Sequence, residues 1–376
     1  MYNVYNCNAI QLREVLHLGY RTGMPIYISG APGIGKSEIV AQFAKEIKAN
    51  FPNPLILSSI QPEDVRGIGI PNRRTKRLDF FQLGFFPPED SEERWVLFYD
   101  ELSNADKRLQ APLQQLILHR QTGDYTLPPD CYQVAAGNSL EDQCFAYELS
   151  RALEDRFCIV NLKVAVEPWT KWAIDTQVHT DIISFIKIKP EYLHYSLTQE
   201  KYESAQDERV LPTPRAWGKY VNMILKDQYA SRTAKEIAIS GLVGIQVANC
   251  FFNTLDELKD MPTCEEIINA SRKKTPTALQ KLLPKSTVGL WNVSLSLLNY
   301  CENTEHYKDL AKYLEILLNT ENDLRPVREI AMLVLEKAIQ KAPERGIDRV
   351  TLRKLFSEVT KTWYKEVGDL LNQLQS

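Results

Sequence analysis

Residues 30 to 37 read Gly30-Ala31-Pro32-Gly33-Ile34-Gly35-Lys36-Ser37. This run fits the pattern G-x-x-x-x-G-K-[ST], follows a strand-like segment (Ile26 to Ser29) and precedes a stretch with helical period (Ser37 to Lys48). The glycines let backbone N–H groups curl around phosphate oxygens, and the start of the helix adds partial positive charge. Lys36 would reach the β- and γ-phosphates, and the Ser37 hydroxyl would ligate Mg²⁺. The sequence therefore predicts that residues 30 to 37 bind a nucleotide.

Two carboxylates follow a second strand-like run. Trp95 to Tyr99 are large and apolar or aromatic, and Asp100 and Glu101 come directly after them. Such a strand would deliver both acids to the carboxyl edge of a sheet, where open α/β sheets bind ligands. We expect Asp100 to hold Mg²⁺ through water and Glu101 to be the base that polarises the attacking water. An acidic pair after an isolated strand often marks only a turn or a helix start, so this interpretation depends on the loop upstream.

A neutral amide follows a third strand-like run. Gln133 to Gly137 end in small residues, and Asn138 comes next. Near a γ-phosphate, an amide can orient water without adding charge, so Asn138 is a candidate catalytic residue. The alternative is that Asn138 only adopts the turn conformation that Gly-Asn favours.

The first half of the chain alternates short apolar runs with helical patterns. Further strand-like runs are Leu55 to Leu57 and Cys158 to Leu162. Short apolar strands separated by helices indicate a parallel sheet covered on both faces. From about Val166 helical patterns dominate, ending in an amphipathic stretch from Val350 to Leu374. We expect an αβα nucleotide-binding domain over residues 1–165, a helical lid over 166–256 and a C-terminal helical region over 257–376.

Composition restricts the class of protein. The 376 residues carry a net charge of −3, which does not fit a chain that is polybasic throughout. No run reaches the roughly 18 apolar residues that a membrane helix needs, and the first residues do not resemble a secretory signal. The seven cysteines form no Cys-x-x-Cys pair and the five histidines are scattered, so we expect reduced cysteines, no zinc site, no membrane partner and a cytoplasmic location.

The order of these motifs resembles that of AAA+ ATPases. The matching segments are the loop at residues 30 to 37, Asp100-Glu101, Asn138, Arg151 to Phe157 (RALEDRF) and Pro212 to Trp217 (PTPRAW). The resemblance covers about residues 20 to 220. It implies an α/β P-loop NTPase domain of three αβα layers, with a parallel five-stranded sheet in the order 5-1-4-3-2, followed by an all-α lid.

More narrowly, the chain resembles the MoxR-like branch and its dynein- and midasin-related relatives. The segments Gln110 to Leu116 and Arg120 to Gly123 resemble that branch after its acidic pair, and Gln61 to Gly67 resembles the approach to its helix-2 insert. MoxR proteins commonly carry Asn-Arg where this chain has Ser103-Asn104. No role is therefore carried over to those two residues.

The resemblance assigns roles to one amide and three arginines. Asn138 matches sensor 1, and Arg215 matches sensor 2 on the helical lid. Arg156 is the candidate arginine finger that reaches the γ-phosphate of a neighbouring subunit, and Arg151 is the alternative. Each arginine could instead be an ordinary surface or ion-paired residue. In the branch with the insert the lid is displaced, so whether Arg215 acts on its own subunit's nucleotide stays open.

The leading function is Mg²⁺-dependent ATP hydrolysis by a ring, expected to be a hexamer, that remodels a protein partner. The resemblance implies that this partner could bear a von Willebrand factor A domain.

The alternative function is a nucleic-acid motor or helicase loader. It is suggested by a cluster of basic residues that lies near four phenylalanines in the sequence. The basic residues are Arg73, Arg74, Lys76 and Arg77, and the phenylalanines are Phe80, Phe81, Phe85 and Phe86. The same residues could equally grip a polypeptide in the pore of a ring. The interpretation that we favour is a solvated basic loop with the phenylalanines in the core. A nucleotide switch without hydrolysis is a third alternative, but it has no use for a water-activating base.

Overall fold

The computed structural model describes residues 4–82, 84–138, 150–195, 210–273, 277–319 and 324–356. The chain divides into two compact units. The first unit contains the residues up to Trp169 together with Thr213–Arg215, and the second contains Thr170–Pro212 and the residues from Ala216 onward. The boundary expected near residue 256, inside the second unit, stays a prediction.

A parallel sheet forms the centre of the first unit. Among the described residues it has six strands, numbered here in chain order. Across the sheet they are β1 (Asn6–Cys7), β10 (Cys158–Leu162), β2 (Ile26–Ser29), β9 (Cys131–Gly137), β6 (Trp95–Asp100) and β3 (Leu55–Ile56). The predicted α/β class is confirmed, and the five expected strands run in the order 5-1-4-3-2. The expected strand number is wrong by one, because β1 adds a parallel edge strand beside β10 that is too short to give a sequence pattern.

Helices cover both faces of this sheet. Alternate residues of a strand point to opposite faces of the sheet. Ile26 and Ile28 therefore belong to a first hydrophobic core on one face, and Tyr27 belongs to a second core on the other face. The first core includes side chains from α1 (Ala9–Thr22) and α2 (Lys36–Glu46). The second includes side chains from α3 (Pro62–Arg66), α4 (Gln110–His119) and α5 (Arg151–Glu154). The three-layer arrangement follows from burying both faces of apolar strands.

Two antiparallel hairpins extend from the first unit. One joins β4 (Ile68–Asn72) to β5 (Arg77–Phe81), and the other joins β7 (Gln121–Thr122) to β8 (Tyr125–Thr126). The β4–β5 hairpin is exposed along nearly its whole length and carries the basic residues at its turn. Phe80 and Phe81 are exposed on β5, whereas Phe85 and Phe86 pack into the second core. The four phenylalanines therefore divide between surface and core.

The described part of the second unit is helical. Its helices are α6 (Val166–Asp175, which begins in the first unit), α7 (Thr180–Ile188), α8 (Asn222–Lys226), α9 (Arg232–Val243), α10 (Ile245–Leu258), α11 (Cys264–Ser271), α12 (Thr277–Gln280), α13 (Thr287–Tyr300), α14 (Thr304–Leu318), α15 (Leu324–Lys341) and α16 (Arg349–Leu355). Phe185, Trp217 and Phe251 pack ring against ring at its core. The predicted amphipathic stretch to Leu374 lies outside the described residues beyond position 356. No helix in the described ranges is both long and apolar enough to span a membrane.

Candidate phosphate-binding site

Three parallel strands bring the candidate residues to one edge of the sheet. The register pairs Ser29 with Gly137 and Tyr99 with Ala135, so β2, β9 and β6 end close to the same level. The loop at residues 30 to 37 follows β2, Asn138 follows β9, and Glu101 follows β6. Segments far apart in sequence therefore meet at the carboxyl edge of the sheet, which is the usual place for a ligand in this fold class.

The loop conformation depends on its glycines. Gly33 has φ of 75° and Gly35 has φ of 98°, both in the left-handed region that side chains disfavour. Gly30 is required for a different reason, because there is no space for a side chain. A Cβ atom there would lie 2.7 Å from Ile34 Cδ1 and 2.8 Å from the Leu162 carbonyl oxygen. Gly35 also precedes the first residue of α2, so the loop leads directly into a helix N-terminus. Exposed amides and the helix dipole together make this segment suited to an anion.

Lys36 places a positive charge inside the loop. Its residue is buried, and Nζ donates to the carbonyl oxygens of Gly30 at 2.7 Å and Ala31 at 3.0 Å. The same nitrogen donates to Asn138 Oδ1 at 3.1 Å. These three acceptors are uncharged, so a multiply charged anion such as a phosphate would be a stronger partner for the ammonium. Lys36 also ties the loop to the end of β9.

Ser37 and Asp100 form a pair of oxygen ligands. Ser37 Oγ donates to Asp100 Oδ2 at 2.9 Å, and Asp100 Oδ1 accepts from the backbone N–H of Glu101 at 3.0 Å. A hydroxyl and a carboxylate are the hard oxygen ligands that Mg²⁺ prefers, usually with water and phosphate oxygens completing its shell. The pair therefore fits a magnesium ion bound together with a nucleotide. In the described ranges, no group of three or more His, Cys, Asp or Glu side chains offers another metal site.

Glu101 has an unusual backbone. Its φ of 57° and ψ of 34° lie in the left-handed region, which costs a residue with a side chain about 1–2 kcal/mol. It precedes a 3₁₀ turn at Leu102–Asn104, and its carboxylate accepts a hydrogen bond from Ser58 Oγ. Strain of this kind persists where the surrounding structure requires it, and it is concentrated at functional sites.

Asn138 is held from two sides. Its side chain accepts from Lys36, and its backbone N–H donates to Ser103 Oγ at 3.0 Å. Neither Ser103 nor Ser58 was predicted to have a role. Both follow the carboxyl end of a strand within three residues, as Asn138 does after β9. A search for polar residues at every strand end would have selected them.

The structure separates the three arginines. Arg215 donates its backbone N–H to the Gly33 carbonyl oxygen at 3.0 Å, and its side chain is exposed. Arg156 instead lies two residues before β10, near the level at which β2 begins. Its partly buried side chain lines a cavity of about 240 Å³ together with Gly23 and Pro25. Since a four-residue strand spans about 13 Å, Arg156 is at the opposite edge of the sheet from the loop. Arg151 is exposed at the start of α5.

Comparison with known proteins gives a family match for part of the chain. Residues 25–157 match the family model of the AAA domain, dynein-related subfamily. That match includes the loop, Asp100, Glu101, Asn138 and Arg156. No curated protein sequence matches the chain significantly.

The solved structures that match this chain have low sequence identity to it. A protein from Cytophaga hutchinsonii described as a "putative ATPase" is 16% identical with a TM-score of 0.33, over 93% of this chain and 88% of that one. A RuvB mutant from Thermotoga maritima is 15% identical with a TM-score of 0.35, over 72% and 78%. NtrX from Brucella abortus in complex with ADP is 14% identical with a TM-score of 0.32, over 93% and 67%.

Replacing Gly33 with alanine should weaken nucleotide binding. The new Cβ would lie 3.0 Å from Thr213 Cβ, and φ of 75° is strained for alanine. We expect the Kd for ATP, measured by isothermal titration calorimetry, to rise about ten-fold. Gly346→Ala is the matched control, because Gly346 has φ of 74° with nothing within 4 Å of the added Cβ. It should lose about 1–2 kcal/mol of stability and keep the Kd. Equal affinities for Gly33→Ala and the wild type would contradict the loop's role.

Proposed function

We propose that this protein, an ATPase whose residues 25–157 form an AAA domain of the dynein-related subfamily, binds ATP with Mg²⁺ at residues 30 to 37 and hydrolyses its γ-phosphate. The observation that carries the proposal is the hydrogen bond between Ser37 Oγ and Asp100 Oδ2, 2.9 Å long, beside the buried ammonium of Lys36. It joins a phosphate-binding loop to the acidic strand end that a magnesium nucleotide requires.

The loop residues hold the phosphates in this proposal. The backbone N–H groups of this loop, which Pro32 lacks, would donate to the phosphate oxygens, and Lys36 would neutralise charge on the β- and γ-phosphates. Ser37 and Asp100 would hold Mg²⁺, which would neutralise negative charge on the phosphates. Arg215 is proposed to contact the nucleotide of its own subunit, because its backbone is hydrogen-bonded to Gly33 within this same loop.

Glu101 and Asn138 act on the attacking water. Glu101 follows the strand end that carries Asp100, so its carboxylate can accept a proton from water near the γ-phosphate. Asn138 contacts Lys36 Nζ and can orient that water without adding charge. The left-handed backbone at Glu101 supports this role, since it turns the chain at the edge where the γ-phosphate would lie.

Changing Glu101 to glutamine should stop hydrolysis and spare binding. The amide has nearly the same shape but cannot take the proton, so we expect kcat to fall at least about 100-fold in a phosphate-release assay. The Kd for ATP should stay within about two-fold, since Glu101 is not assigned to the phosphates. Glu93→Gln is the control, because Glu93 is exposed and accepts from Asn50 Nδ2 at 2.6 Å, an interaction that an amide oxygen can keep. Normal turnover by Glu101→Gln would refute the assignment.

The position of Arg156 supports a ring. It lies at the edge of the sheet opposite its own loop, so it cannot act there without a large movement of β10. A guanidinium at that edge could serve the loop of a second copy, and a head-to-tail contact that closes gives a ring. We propose a homo-oligomer, a hexamer by resemblance, with Arg156 as the finger and Arg151 as the alternative.

Mixing two inactive variants tests this arrangement. Arg156→Ala subunits keep Glu101, and Glu101→Gln subunits keep Arg156, so each supplies what the other lacks. Tested alone, Arg156→Ala should turn over ATP about 1000-fold more slowly than the wild type, and Glu101→Gln about 100-fold more slowly. A 1:1 mixture should recover about a quarter of the wild-type rate if subunits exchange randomly in a ring. The same mixture made with Arg151→Ala tests the alternative finger. No recovery with either arginine variant would argue against catalysis in trans.

We further propose that ATP hydrolysis drives the remodelling of a protein partner. By resemblance, one candidate partner is a protein with a von Willebrand factor A domain. The exposed β4–β5 hairpin supports this proposal, because Ile68, Ile70, Leu78 and Phe81 are each at least half exposed. Exposed apolar side chains on one hairpin are suited to contact with another polypeptide. The basic residues at its turn keep a nucleic-acid substrate as the second candidate.

A trapped complex distinguishes these two candidates. Tagged Glu101→Gln should hold ATP and remain engaged with its substrate, whereas Lys36→Ala should bind neither. We expect one stoichiometric protein to co-purify with Glu101→Gln from the native cells in ATP and Mg²⁺, to resist nuclease, and to be missing with Lys36→Ala. Nuclease-sensitive nucleic acid without such a protein would favour the second candidate.

A further inference from the structure

Ser103 lies between the two groups assigned to the attacking water. It is only 2% exposed, and its Oγ accepts the backbone N–H of Asn138 at 3.0 Å. The same hydroxyl donates to Asn104 Oδ1 at 3.3 Å, so both its donor and an acceptor site are used. The proposed function above assigns nothing to this residue.

The position of Ser103 is set by the turn after Glu101. Ser103 is the middle residue of the 3₁₀ turn Leu102–Asn104, which Glu101 precedes. Asn104 donates its N–H to the Glu101 carbonyl oxygen at 2.8 Å, and Glu101 donates its own N–H to Asp100 Oδ1 at 3.0 Å. The backbone of Glu101 and the hydroxyl of Ser103 therefore belong to one hydrogen-bonded turn.

The strand on the other side approaches this turn closely. A Cβ atom at Gly137 would lie 2.2 Å from Tyr27 Oη and 2.9 Å from Ser103 Oγ, so only glycine fits there. Tyr27 is buried, and its burial raises the pKa of the phenol, which stays protonated. The Ser103 side chain therefore packs directly against the end of β9, one residue before Asn138.

We propose that Ser103 is a positioning residue for ATP hydrolysis, which fixes the backbone of Asn138 and couples it to the turn of Glu101. With the N–H of Asn138 fixed, its side-chain oxygen remains 3.1 Å from Lys36 Nζ, beside the position proposed for the γ-phosphate. A shift of the Glu101 turn would move Asn138 with it. This inference rests on the proposed function, because it concerns the rate of that reaction.

A purely structural serine would behave differently. A buried N–H needs a hydrogen-bond acceptor wherever it lies, so loss of such an acceptor lowers stability without a specific effect on turnover. A positioning residue lowers kcat more than it changes nucleotide affinity, and it acts only through the residue that it positions. These two behaviours can be separated by kinetics.

The test measures kcat, the Kd for ATP and the unfolding midpoint of Ser103→Ala. We expect kcat to fall about ten-fold with the Kd within about two-fold of the wild type. Ser91→Ala is the matched control, because the Ser91 hydroxyl accepts from Trp95 Nε1 at 2.9 Å and from the Glu93 N–H at 3.2 Å in the same unit. It should lower the unfolding midpoint and leave kcat unchanged. Ser103→Cys keeps nearly the same side-chain volume but offers only a weak hydrogen-bond acceptor. It replaces the alanine variant if Ser103→Ala does not fold.

A double-mutant cycle decides the result. In an Asn138→Ala background, Ser103→Ala should cost no further activity, because the side chain that it positions is already gone. Independent losses that multiply in the double variant would overturn the inference, as would an unchanged kcat in both Ser103 variants. Either result would leave the ATPase proposal intact, whereas a wild-type protein without ATPase activity would overturn both.

Discussion

The rest of the site depends on one hydrogen bond that joins the helix after β2 to the end of β6, two strands that are not neighbours. Ser37 Oγ donates to Asp100 Oδ2 at 2.9 Å, although β9 lies between β2 and β6. The approach is possible because β9 ends in the small buried residues Ala135, Ala136 and Gly137. Parallel strands that end at one level therefore place a loop, a carboxylate and an amide together, and Lys36 links the first of these to the last.

The residues of this site lower the stability of the folded state. A buried lysine, a left-handed glutamate and a loop of glycines each cost free energy that a stable domain without function would avoid. The two apolar cores on either face of the sheet offset that cost. The strained residues lie at the ends of rigid strands. This placement keeps the groups that act on phosphate in position when phosphate binds.

Much of the fold could be predicted from the sequence because the motif, the apolar strands and the helical periods agree with one another. The strand order came from the resemblance, since apolar runs do not specify which strands pair. The edge strand β1 has two residues and no pattern to detect. Ser58 and Ser103 were missed because a serine after a strand is common, and only the fold shows that these two reach Glu101 and Asn138. The split of the phenylalanines between hairpin and core likewise depended on tertiary packing.

The most direct test of the account is a crystal structure of the Glu101→Gln variant with ATP and Mn²⁺ in place of Mg²⁺. Anomalous scattering locates the manganese without assumptions about the nucleotide. The account predicts one metal beside Ser37 Oγ and the Asp100 carboxylate, with Lys36 Nζ at the β- and γ-phosphates and Asn138 still bonded to Ser103. A nucleotide bound elsewhere, or a metal held by other residues, would contradict it.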